Sequence, residues 1–215
     1  MSFFSPAVII FIGALLLAAG GLWAAINQNQ FESQLKAKQE TLEAKNEEII
    51  KLNQQIAKLS IHTMNMVTGG DSYAYIQFGV TENLTAENMR FSKAFISHEG
   101  MYPLYDLTIQ IYDVTAGKNI LVTPPRNVGS TGHIKIWPLN HEINIDLSGR
   151  SSQRFNISFY GRNGTWTQQM IYEKLETKWV FATRVFRSNA DEGIDILYKY
   201  INSEFPISEQ DITWQ

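Results

Sequence analysis

FESQLKAKQETLEAKNEEIIKLNQQIAKL, residues 31–59, is the stretch that decides how the rest of the chain is read. With Leu35 at heptad position a, Leu42, Ile49 and Ile56 also fall at a, and Phe31, Leu52 and Leu59 fall at d. Lys38 and Lys45 are the breaks in the d column. An apolar repeat of about 3.5 residues sustained over about four heptads predicts a left-handed coiled coil. Its second half, with Ile at a and Leu at d, suits a parallel two-stranded pairing, and a trimer stays open. The two lysines must bend their stems outward to stay wet, which also opposes registers that would bury them. Flanking e and g positions are mostly Gln, Asn and Thr, so charge does little to select a partner, and self-association is the simplest expectation. The competing reading is one amphipathic helix lying on its own domain.

Upstream, residues 7–26 contain no charged or strongly polar side chain, behind a short tail at 1–6. Twenty helical residues span about 30 Å, the thickness of a bilayer's hydrocarbon core. Trp23 sits near one end, where an indole prefers the interface. The segment therefore reads as a transmembrane anchor in the lipid bilayer. A cleaved signal peptide, with Ala18-Ala19-Gly20 as its cleavage site, is the alternative, but Met1 to Pro6 lacks the basic residues such a leader carries. Gly20 with Ala24, and Gly21 with Ala25, offer small faces for helix packing. Lys36, Lys38 and Lys45 lie too far beyond the membrane edge to orient it strongly. An extracytoplasmic β-domain is favoured by the recurrence of this anchor, stalk and module order in envelope proteins.

Residues 27–67 read as one continuous stalk helix without Pro or Gly, long enough to reach on the order of 60 Å. Thr68-Gly69-Gly70-Asp71 ends it, the glycines supplying a C-cap and a turn. From Asp71 the period becomes two. Tyr73–Phe78, Phe91–Ser97, Leu107–Ile111, Ile120–Val122, Ile134–Trp137, Ile143–Leu147, Phe155–Phe159, Thr165–Leu175 and Lys178–Arg187 read as strands. Asn163-Gly164 reads as the centre of a type I′ hairpin turn. Eight or nine short strands over residues 71–187 imply an antiparallel β-sandwich of the immunoglobulin or fibronectin kind, with a β-barrel as the alternative. In residues 188–215, Ile194, Leu197, Tyr198 and Ile201 have helical spacing, so a short helix capped by Asn189 or Asp191 is expected there, followed by a tail of low order in which Ile212 and Trp214 either pack on the sandwich or stay loose.

The junction carries a resemblance. Thr68-Gly69-Gly70-Asp71-Ser72 followed by Tyr73-Ala74-Tyr75, with Tyr102-Pro103-Leu104-Tyr105-Asp106 further on, resembles uncharacterised bacterial single-pass membrane proteins in which a coiled coil leads into a TGGDS-type β-domain. The resemblance implies a bacterial envelope setting and supplies no catalytic residue.

Composition narrows the chemistry. A net charge of −3 offers no basic face for nucleic acid. The absence of cysteine excludes disulfides, thiolate nucleophiles and cysteine metal sites. His62, His98, His133 and His141 form no HExxH motif, and read as exposed turn residues rather than a zinc site. No nucleophile elbow, Walker loop or dinucleotide fingerprint is present. Gly149-Arg150-Ser151-Ser152 reads as a plain turn. Asn189, Asp191, Gly193 and Asp195 lack the spacing of a calcium loop. Asn83-Leu84-Thr85, Asn156-Ile157-Ser158 and Asn163-Gly164-Thr165 match the glycosylation pattern, which means little in a bacterial chain. No catalytic, cofactor or metal residue is assigned. Among the many aromatics of the β-domain, Trp166, just past a turn, is a candidate for stacking on a sugar or peptide, with packing in the core as the favoured reading. The expected function is a non-enzymatic, membrane-anchored, oligomeric binding or assembly module. A structural subunit of a larger envelope complex and an envelope-polymer hydrolase are the alternatives.

Overall fold

The computed structural model describes residues 6–80, 87, 89–129, 136–190 and 193–214. One helix, α1, runs Pro6–Thr68, and no residue in it is buried. It contains the one stretch, among the described residues, that is long and apolar enough to cross a membrane. The chain divides into two compact units, Met1–Ser60 and Ile61–Gln215. The last two turns of α1 therefore belong to the second unit rather than to the expected stalk.

After the helix the chain is antiparallel β-structure. Its strands are β1 (Tyr73–Val80), β2 (Arg90–Glu99), β3 (Leu104–Asp113), β4 (Lys118–Val122), β5 (Arg126–Val128), β6 (Ile136–Pro138), β7 (Ile145–Asp146), β8 (Ser152–Gly161), β9 (Gly164–Lys174), β10 (Trp179–Ser188) and β11 (Ile194–Ile201). They form two sheets. One has the order β1-β2-β6, with β7 also paired to β2. The other has the order β11-β10-β9-β8-β3-β4, with β5 paired to β3. Neither closes, so the barrel alternative is wrong: β1 stands at the edge of the first sheet, and β11 and β4 at the edges of the second. A single core joins the layers, with Ile76, Phe91 and Ile96 from the first sheet meeting Ile109, Ile111, Phe155, Ile157 and Phe159 from the second. β8 shows the expected alternation, with Gln153, Phe155, Ile157 and Phe159 buried and the residues between them only partly so.

β9 breaks that alternation because it is covered on both faces. Gln168, Gln169, Met170, Ile171 and Tyr172 are all buried in succession. The second cover is the C-terminal segment: Ile212 packs on Ile171 and Ala182, with Ile201, Phe205, Ile207 and Trp214 around it. Arg154 Nη1 donates to Thr213 O at 2.8 Å, and Arg184 lies 4.8 Å from the Trp214 ring centre. The tail expected to be of low order is docked.

The helix expected near Ile194 is absent. That segment is β11, paired antiparallel with β10. Its register shifts between Val185 and Phe186, which face Tyr198 and Ile196, so Leu197 is an extra residue. The bulge lets Leu197 and Tyr198 both turn partly inward, and Ile201 follows. Inward positions separated by one and then three residues imitate a helical stripe. Asp191, Ile134, Lys135, His133 and, apart from Glu87, the Asn83–Asn88 loop with its Asn83-Leu84-Thr85 triplet lie outside the described residues.

The hairpin between β8 and β9 also differs from expectation. Gly161 pairs with Gly164, so Arg162 and Asn163 form the loop. Gly164 has φ +115°, but Asn163 is not in the left-handed region, and the turn is not centred on Asn163-Gly164 as a type I′ turn requires. Asn163 is held instead by tertiary bonds, described below.

Candidate functional site

The seam residues stand open. Phe31, Leu35, Leu42, Ile49, Leu52, Ile56 and Leu59 are between 49% and 67% exposed. A helix surface normally buries such a stripe against something.

The two stretches that carry the sequence resemblance meet in space, at the end of the helix. Gly69, φ +101°, closes α1 by donating its N–H to Asn65 O at 2.8 Å, the bond of an αL cap. Gly70, φ +53°, lies against Tyr102, where a Cβ would come 2.6 Å from the ring. Ser72 is fully buried, and its Oγ accepts from Tyr102 N at 3.0 Å. Arg162 ties the other side. Its guanidinium pairs with Asp106 at 2.6 Å, stacks 5.1 Å from the Tyr105 ring centre, and donates at 3.3 Å to Val67 O. Val67 O is one of the carbonyls a helix end leaves without an internal donor. His62 Nδ1 lies 3.3 Å from the Tyr102 hydroxyl. The TGGDS and YPLYD stretches are thus two halves of one collar.

The collar continues along the outer edge of β1. Asn163 Nδ2 donates to Gly70 O at 3.1 Å and Ser72 O at 2.7 Å, and Arg187 Nη2 donates to Ser72 O at 3.0 Å. Trp166 Nε1 donates to Ala74 O at 2.7 Å. Gln168 bonds Ile76 twice, accepting from its N–H at 2.7 Å and donating to its carbonyl at 3.0 Å. Side chains of the second sheet thereby occupy the hydrogen-bonding groups of an edge strand that would otherwise invite pairing with another chain.

That arrangement leaves Trp166 no role as a stacking platform and agrees with the favoured reading of it as a core residue. The indole is 2% exposed. One face is stacked on Phe159 at 5.4 Å, and Arg187 lies 5.4 Å from its ring centre. It is a core residue whose one polar atom seals a backbone carbonyl.

The histidines are dispersed. His98 is buried in β2, its Nε2 2.9 Å from Tyr102 O and its ring under Gly129, so it is not an exposed turn residue. Among the described residues no three His, Asp or Glu side chains gather as a metal would need. Asn189 accepts from Gly193 N at 2.8 Å and donates to Asp195 at 3.1 Å, an ordinary turn. Arg150 pairs at 3.6 Å with Asp113, a buried carboxylate that also accepts from Ala116 N at 2.8 Å and Gln153 Nε2 at 2.6 Å. That turn anchors a buried polar network.

Where the side-chain bonds to β1 stop, beyond Ile76, a cleft of about 430 Å³ opens between the sheets. Phe78, Phe91, Tyr172, Trp179, Phe181 and Tyr198 supply aromatic walls, and none of the described lining residues is charged. Tyr75 and Tyr198 stack at 4.7 Å. Tyr172 is 5% exposed and packs on Phe91 at 4.9 Å and Phe181 at 5.5 Å. Burial pushes its phenol well above the ordinary tyrosine range, so it stays protonated. Its hydroxyl bonds to no described residue. Sequence reading missed this cleft, because its walls come from β1, β2, β9, β10 and β11 and share no spacing.

No family model, curated protein or solved structure matches this chain.

Proposed function

We propose that this chain is a single-pass membrane protein whose stalk pairs with that of a second copy, and whose β-domain serves as a binding and assembly module without catalytic activity. The observation that carries the proposal is the open seam: seven apolar side chains in heptad register, each about half exposed or more. Burying them between helices would favour association at about 25 cal/mol per Å² of apolar surface. Pairing also raises avidity for a repeated partner.

The finer assignments belong to the same proposal. The β-domain is placed outside the cytoplasmic membrane, in the bacterial envelope, supported by the order of anchor, stalk and module. Kinship with TGGDS-type membrane proteins is supported by the way the two shared stretches lock together. An immunoglobulin- or fibronectin-like sandwich fold of the head is supported by two antiparallel layers over one core.

Light scattering on the full chain in mild detergent tests the pairing. A mass of two or three chains is expected, and a strict monomer at high concentration overturns it. Protease shaving of intact cells tests the side: the β-domain should be cut without lysis.

A further inference from the structure

We propose that the aromatic cleft is a binding site for a small, uncharged aromatic molecule carrying one hydrogen-bonding oxygen, held between the sheets with that oxygen on the Tyr172 hydroxyl. This rests on the reading of the head as the binding part of the protein, and names what it binds.

Four observations define the ligand. The volume, about 430 Å³, lies in the range of small-molecule sites. The absence of charge among the described lining residues disfavours an ion, which would lose its hydration without a counter-charge. Most of the described lining residues are aromatic, which suits a flat π system over a flexible chain. Tyr172 provides the polar anchor. It is 95% buried, from its 5% exposure, yet its hydroxyl has no partner among the described residues. That oxygen is not among the sealed polar atoms left without a partner, so the small exposure Tyr172 keeps reaches its hydroxyl, and a ligand oxygen there would take the place of water. Burial keeps the phenol protonated, so it offers both a donor and an acceptor.

The test uses the full chain in lipid nanodiscs with methyl-labelled methionine and 2-naphthol as probe. Met89 and Met170 line the cleft, and Met64, Met66 and Met101 do not. A saturable shift of the Met89 and Met170 methyl resonances alone is the expected result. Tyr172→Phe, which keeps the ring, should raise the half-saturating concentration about two- to tenfold, the worth of one neutral hydrogen bond. The anion 2-naphthoate should leave both resonances in place. Non-saturating shifts of all methionines, which mark partition into lipid, overturn the site. Shifts with decanol but not 2-naphthol overturn the aromatic class, and an unchanged Tyr172→Phe response overturns the anchor. These readings are separate from pairing: a monomeric stalk leaves the methyl shifts intact, and their loss leaves a dimer by light scattering.

Discussion

The rod and the head solve opposite problems with apolar surface. α1 buries none of its residues, whereas the head buries Phe91, Phe155, Phe159 and a full set of Ile and Leu within one chain. The head even occupies the free edge of β1 with side chains from Asn163, Trp166, Gln168 and Arg187. A domain that blocks its own edge this thoroughly is built against accidental strand pairing. A helix that leaves a heptad stripe open is built for contact. The stability of the head lies inside the chain; on the function proposed above, that of the rod lies outside it, in lipid and in a second copy.

Four experiments sharpen or break that contrast. The largest effect is expected in the core. Phe155→Ala should lower the head's stability by about 3–5 kcal/mol, read by urea unfolding, and the loss should not depend on protein concentration. Next comes the seam. Ile49→Asn combined with Leu52→Asn should weaken self-association by about tenfold or more, since polar a and d residues reduce coiled-coil stability. The urea midpoint of the head should stay where it was; a matching loss there would mean that the seam supports the head after all.

The collar comes third. Gly70→Ala puts a Cβ 2.6 Å from the Tyr102 ring at φ +53°, and a non-glycine residue in that conformation costs about 1–2 kcal/mol. Hydrogen exchange should show faster opening of the last helical turn near Val67, while the strand core keeps its protection. Unchanged exchange at Val67 would show that the two halves of the collar are not coupled.

The smallest effect lies at an exposed loop. Ser148, through its side chain and its N–H at 2.9 Å, together with Arg90 at 2.9 Å, holds the Asp146 carboxyl below the ordinary carboxylate range. A folded-state pKa below the unfolded one contributes stability that is present above the unfolded value and lost as pH falls through the folded one. Asp146→Asn should therefore flatten a small part of the acid limb of stability and leave neutral pH nearly unchanged. The same dependence in the mutant would assign that limb to other carboxylates.

Local repetition explains what could be read early. The helix, its heptads, the stop at Gly69-Gly70 and the alternation of β3 and β8 are patterns within a few residues of one another, and each follows from backbone geometry. β11 was misread because a single bulged residue, Leu197, converts a period of two into a helical one. β9 gave no alternation because the tail around Ile212 covers its second face.

By itself, then, the sequence determined the long helix, its apolar stripe, a membrane-length apolar stretch and a β-rich head. Tertiary structure alone decided that Trp166 is a core seal, that TGGDS and YPLYD form one collar, and that an uncharged aromatic cleft lies beside β1. The reason is separation along the chain. The Trp166 bond to Ala74 spans 92 residues, and nothing in the spacing of either neighbourhood specifies which distant side chain will arrive.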